Sequence, residues 1–159
     1  MTSAKAPARL SAVNRLLINA IGVGVWTSGV AWLGFHYFLV RQGQFGPERS
    51  PLEPWSLKLH GAFAFLALWL AGLLWGVHVV NGWSQGRRRW SGSMLAGLYL
   101  ALILSGYLLY YAGDEGRDAI SLLHWVIGLA APALYLGHRL TERLLANYQR
   151  AAESRAPAE

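Results

Sequence analysis

An all-α integral membrane protein, a four-helix bundle with both termini cytoplasmic, is the fold this sequence predicts, and three observations lead to it. Hydrophobic residues make up 54% of the 159-residue chain and charged residues 14%. That is too apolar for a disordered chain and unusual for a soluble one. Four apolar stretches have the length needed to cross a bilayer, about 20 residues. The Lys and Arg residues are clustered, which in such a chain acts as a topology signal.

The length suggests one domain. Its parts are a cytoplasmic tail over residues 1–13, a transmembrane domain over 14–146 and a C-terminal tail over 147–159. The first span covers residues 16–40. It is too long for a cleavable signal peptide and no small-residue cleavage site ends it. Residues 42–54 carry Gly43, Gly46, Pro47, Pro51 and Pro54 and read as a loop. The second span covers 57–81, and a short basic connection over 82–92 leads to the third, over 94–112. Residues 113–118 read as a short acidic loop, with Asp118 as a candidate cap for the fourth helix. That helix covers 119–140 and continues, more polar, to Gln149. The first dozen residues and the tail from Ala151 onward are rich in Ala, Ser and Pro and read as frayed. No internal repeat of helix pairs stands out.

Counting Lys and Arg orients the chain. One side carries Lys5, Arg9, Arg15, Arg87, Arg88, Arg89, Arg139, Arg143, Arg150 and Arg155. The other carries Arg41, Arg49, Lys58 and Arg117. The excess on the first side places both termini in the cytoplasm, as in a multi-pass membrane protein. Glu48, Glu53, Asp114, Glu115 and Asp118 lean to the outer side. Trp55, Trp83, Trp90 and Trp125 fall near span ends, where amphipathic rings prefer to sit.

Composition also excludes functions. With no cysteine, the chain can form no disulfide, thiolate metal site, iron–sulfur cluster or covalent CxxCH haem attachment. Histidine remains the strong soft-metal or haem ligand. The net charge of +6 resides in topology clusters rather than on a continuous basic face, so no nucleic-acid partner is expected.

Four histidines lie within two of the apolar stretches: His60 and His78 in the second, His124 and His138 in the fourth. An ionisable side chain in a membrane span is costly and marks function by default. His60 and His78 are eighteen residues apart, five turns, so they point the same way about 27 Å apart. His124 and His138 are fourteen residues apart, about 21 Å, with a rotation of only about 40°. The second and fourth helices run in the same direction. This puts His60 and His124 at one depth, near the outer surface, and His78 and His138 at another. Such an arrangement suits haem irons held between two helices. Ala64, Ala67 and Ala71 lie between the first pair, and Gly128, Ala131 and Tyr135 between the second. Small faces leave room for a flat macrocycle, and they also allow close helix packing. The two spacings differ by about 6 Å in rise. Unequal tilt or a kink at Pro132 would absorb this, or one histidine is not a ligand, His78 being the weak member. His36, at the outer end of the first span, has three readings: axial ligand, proton carrier at a quinone site, or interfacial residue.

These residues resemble the bacterial di-haem cytochrome b subunits of membrane oxidoreductases, such as the formate dehydrogenase gamma subunit and the cytochrome b of nickel–iron hydrogenase. The most specific match is His124 followed by thirteen residues and His138. In that family the spacing supplies one ligand to each of two b haems, and His60 matches the partner for the periplasmic haem. The family draws its remaining ligand from the start of the first helix, where residues 14–21 hold no histidine here. His78 would serve instead, closer to the plan of the cytochrome b of quinol–cytochrome c reductases. The resemblance spans residues 16–143 in helix number and histidine placement.

The resemblance implies an electron-transfer subunit linking a quinone pool to a periplasmic c-type cytochrome or a molybdenum or iron–sulfur subunit. It would carry two b haems, or one if His78 is not a ligand. Bis-histidine iron has no open position, which suits electron transfer. Haem propionates need cationic or hydrogen-bonding partners. Lys58 and Arg139, each within two residues of a proposed ligand, are the leading candidates. Arg41, Arg117 and the Arg87–Arg89 run are others, the run being explained equally by topology. Quinone-site candidates are His36 with Tyr37 outside, or Asn81 with Trp83 inside. The alternative is a non-redox scaffold or assembly subunit with structural histidines. A transporter or metal-handling protein is disfavoured by the near absence of Asp and Glu from the spans.

Overall fold

The computed structural model describes residues 11–80 and 89–153, and within these the chain is helical apart from one small β-hairpin. Among the described residues four helices are long and apolar enough to cross a membrane. The chain divides at residue 88 into two helical units.

In the first unit, α1 covers Ala12–Leu33. Ser11 caps it, its hydroxyl accepting from the backbone N–H of Asn14 at 3.1 Å. The helix then widens into a π-helical turn, Gly34–Phe38, closed by the bond from the Leu39 N–H to the Gly34 carbonyl. The expected loop contains more order than its Gly and Pro content suggests. Strands β1 (Arg41–Gly43) and β2 (Gly46–Glu48) pair antiparallel around Gln44 and Phe45. Gly46 makes this turn possible with φ at 120°, a conformation that side-chain-bearing residues rarely adopt.

Helix α2, Glu53–Leu74, starts inside the expected loop. Pro54 sits in its first turn, where a missing N–H costs nothing, and Glu53 provides the acidic residue that the helix N-terminus favours. A second π-helical turn, Trp75–Val79, follows and contains His78. Helices α1 and α2 are antiparallel: a Cβ on Gly24 would meet the Phe63 ring at 2.5 Å, and one on Gly29 would meet His60, three residues earlier than Phe63, at 3.1 Å.

The second unit holds α3, Arg89–Tyr111, and α4, Asp114–Glu153. The expected acidic loop over 113–118 is corrected here. Only Ala112 and Gly113 separate the helices, and Asp118 lies inside α4 rather than capping it. Asp114 and Glu115 occupy the first turn, where the positive end of the helix dipole favours carboxylates. The helix also begins earlier than the hydrophobic pattern alone implies. Pro132 lies within α4, and the helix continues past the apolar segment to Glu153, beyond the expected end at Gln149.

Burial in this chain is inverted relative to a soluble protein. Of the buried residues, Leu70 is apolar, whereas Ser28, Glu53, Ser56 and Ser105 are polar. Many Leu, Val, Phe, Trp and Tyr side chains are exposed. Lipid tails solvate such a surface, while small polar residues bring helices into close contact.

The Gly24–Phe63 contact gives a direct test. Gly24→Ala must displace the Phe63 ring and should destabilise the chain by about 1–3 kcal/mol. Gly22→Ala, one residue pair away and with nothing within 4 Å, should be neutral or gain up to about 1 kcal/mol. Denaturation of both variants in detergent micelles measures the difference, and equal effects would contradict the close approach.

Candidate functional site

An imidazole in an apolar span must place its N–H on an acceptor, and three of the spaced histidines set Nδ1 against a serine hydroxyl of the adjacent helix. The Nδ1 of His60 lies 2.9 Å from the Val25 carbonyl and 3.3 Å from the Ser28 hydroxyl, both on α1. A carbonyl can only accept, so Nδ1 carries the hydrogen. Ser28 gives its own proton back to the Gly24 carbonyl, at 2.6 Å, within its own helix. This back-bond leaves the hydroxyl oxygen available as an acceptor for His60. In the neutral ring the lone pair then resides on Nε2.

His124 repeats the device in the second unit. Its Nδ1 lies 2.8 Å from the hydroxyl of Ser105 on α3, and Ser105 donates to the Ala101 carbonyl at 2.7 Å. Nδ1–H is again the donor and Nε2 again carries the lone pair. The Nδ1 of His138 lies 3.1 Å from the hydroxyl of Ser91, also on α3. Ser91 and Ser105 are fourteen residues apart, as are His124 and His138. The antiparallel register of α3 and α4 thus serves both histidines at once.

Each of these serines is followed by glycine, at Ser28–Gly29, Ser91–Gly92 and Ser105–Gly106, and the chain has no other Ser-Gly dipeptide. A Cβ on Gly29 would come within 3.1 Å of the His60 ring, and one on Gly106 within 3.4 Å of the His124 ring. These two glycines therefore leave the space in which an imidazole edge lies against the neighbouring backbone. Gly92 has open space around it and has no such role.

The other expected site residues are placed as follows. His78 lies in the π-helical turn Trp75–Val79, with its side chain outside the described residues. Asn81, Trp83, Arg87 and Arg88 fall outside the described residues, as does the side chain of Arg89. Lys58 sets its ammonium 4.7 Å from the centre of the Trp55 ring. Two residues along a helix is a rotation of about 200°, so Lys58 and His60 leave α2 on opposite sides. Arg139, next to His138, lies over the Tyr135 ring and donates to its hydroxyl at 3.3 Å. At Gly128, one of the small residues between His124 and His138, a Cβ would sit 3.8 Å from Leu102, an ordinary contact. Arg41 and Arg117 are exposed. His36 is bound to Glu53 at 2.7 Å, apart from the serine-held set.

Comparison with known proteins follows from this geometry. No family, characterised protein or solved structure matches the chain. Among the described residues no three His, Asp or Glu side chains group as a metal-ion site. The donors are instead single histidines, each fixed through Nδ1.

Sequence reasoning missed the serines. The available signal was a hydroxyl residue in an apolar span followed by glycine, repeated at the same fourteen-residue interval as the histidines. Ser105→Ala removes the hydroxyl that accepts from the part-buried His124 Nδ1, so it should cost about 1–2 kcal/mol. Nitrogen-15 NMR of the imidazoles should show His124 losing its uniform Nδ1–H tautomer while His138 keeps its signal. An unchanged His124 spectrum would contradict the assigned hydrogen bond.

Proposed function

We propose that this chain is a membrane-embedded b-type cytochrome subunit, a four-helix bundle of a bacterial inner membrane with cytoplasmic termini. It carries electrons between a quinone pool and a periplasmic redox partner, a c-type cytochrome or a molybdenum or iron–sulfur subunit. The observation that carries this reading is the shared Nδ1–serine contact of three histidines. Nδ1 is held by a serine on the adjacent helix, and for His60 and His124 the partner chemistry puts the lone pair on Nε2. Histidine ligands of metals commonly donate their other ring N–H to a protein acceptor, which fixes ring orientation and raises ligand basicity.

The donor chemistry fits a haem iron. His60, His124, His138 and His78 are the proposed ligands. When bound by two histidines, such an iron supplies one-electron transfer with no position open to substrate. Ser28 and Ser105 set tautomer and ring direction, and Ser91 holds the Nδ1 edge of the His138 ring. Gly29 and Gly106 let two of those rings lie close to the neighbouring helix. Arg139 supplies a cation beside His138 suited to a propionate, whereas Lys58 serves the membrane interface through Trp55.

A second reading draws on the same bonds. Serine–histidine hydrogen bonds between helices also hold membrane proteins together, each worth about 1 kcal/mol or less. On that reading the chain is a scaffold or assembly subunit without a redox group.

A reduced-minus-oxidised absorption spectrum of the purified protein separates the two. The cytochrome reading expects b-type haem bands, and their absence would falsify it. His124→Ala should lower the haem content per chain while leaving the remaining haem with its bands. His78→Ala should do the same at the other iron, and an unchanged ratio there means that His78 is not a ligand.

A further inference from the structure

The connection between α1 and α2 carries a feature that neither the histidines nor the spans use. One candidate span ends at Phe38 and the next begins at Glu53. These ends are tied together, with Glu53 Oε1 lying 2.7 Å from His36 Nδ1 and 3.5 Å from the Arg49 guanidinium. Residues 39–52 therefore leave and return at one level, and the β1–β2 hairpin stands on that base. At its tip Phe45 is 94% exposed, more than any other large apolar side chain among the described residues.

The ladder beneath that ring is short. Pro47 stands opposite Gln42 and has no N–H to give. The hydrogen-bonded pairs are thus Arg41 with Glu48 and Gly43 with Gly46. An isolated two-stranded hairpin is marginal in water, and here strands of three residues end in a bare aromatic ring. A surface over Phe45 supplies the apolar burial that the ladder lacks.

The surroundings identify that surface as lipid. Tyr37, Phe38, Leu52 and Trp55 are exposed at the same two span ends, and Tyr and Trp favour the boundary between bilayer and water. Arg41 and Arg49, at the two ends of the hairpin, are exposed cations suited to lipid phosphates. Glu48 turns its side chain back over Gly43. The dimensions agree. Three residues of strand reach about 10 Å, and the headgroup layer on each side of the hydrocarbon is about 5–7 Å thick. A hairpin lying beside the span ends keeps its tip at the boundary, whereas an upright one holds Phe45 in water.

We propose that the β1–β2 hairpin is an interfacial anchor. Phe45 inserts its ring among the glycerol groups and first acyl carbons of the adjoining lipid leaflet, and Arg41 and Arg49 lie on lipid phosphates. The anchor holds the junction of α1 and α2, with its His36–Glu53 tie, at a fixed depth. It depends on the membrane spans and not on haem.

The full chain, carrying 4-fluorophenylalanine and placed one copy per nanodisc in phosphatidylcholine and phosphatidylglycerol, is read by fluorine-19 NMR. Phe45→Leu and Phe65→Leu assign the two signals of interest. Phe65, exposed within the α2 span, is the lipid-facing reference. Lipid with a nitroxide on an upper acyl carbon should erase the Phe45 signal, and a water-soluble gadolinium chelate should leave it sharp, as it leaves Phe65. A Phe45 signal erased by the chelate and spared by the lipid nitroxide overturns the anchor. So does one that neither agent reaches, which places the ring against protein. Phe45→Ser should also speed hydrogen exchange at the Gly43 and Gly46 amides about tenfold. The Leu39 amide, bonded to Gly34 outside the hairpin, should keep its rate. Unchanged exchange in the hairpin of Phe45→Ser overturns the anchor as well.

Discussion

A serine that bonds to its own helix and accepts from its neighbour is the interaction on which the arrangement depends. Imidazole brings an obligatory N–H donor into a segment with no water to take it. Ser28 and Ser105 solve this without adding a new unsatisfied group. Each hydroxyl proton goes to a carbonyl four residues back, and each oxygen receives the histidine. Both serines are buried, 4% exposed, in a chain whose outer surface is apolar. The bond therefore joins two helices and fixes the chemical state of the ring at once.

The same constraint shapes the packing around it. Small-residue faces were read in the sequence as room for a flat cofactor. In the structure the glycines divide by task. Gly29 and Gly106 admit imidazole edges, Gly24 admits the Phe63 ring, and Gly128 meets Leu102 at ordinary distance. Close approach within each hairpin accounts for Gly24, Gly29 and Gly106, consistent with the way small residues act in membranes. The polar cluster at the α1–α2 junction obeys a different rule, being assembled where helices end and where charged partners are affordable near an interface.

The four spans were legible because a 20-residue apolar run needs no partner to be recognised. Helix ends were less so. Asp118 looked like a cap because the hydrophobic pattern begins after it, but Asp114 and Glu115 suit a helix start electrostatically and extend α4 by more than a turn. The 42–54 segment concealed a β-hairpin whose pairing depends on one positive-φ glycine, Gly46. His60, His124 and His138 were singled out from one-helix periodicity, which compares residues along a single helix. Ser28, Ser91 and Ser105 escaped it because their partners lie on another helix, and only the register between helices brings them together. The pairing of His36 with Glu53, seventeen residues apart across a turn, is hidden from the sequence for the same reason.

The matched fourteen-residue intervals on α3 and α4 make this hairpin a length-locked pair. An insertion of one residue between His124 and His138 turns one ring by about 100° and moves it about 1.5 Å. One clamp would then be broken whichever end stayed fixed. A compensating insertion between Ser91 and Ser105 would restore the match in rise, but it would also swing a serine to a new face. Along both helices the number of residues between the two clamped levels is thus a quantity that can change only by abandoning a histidine.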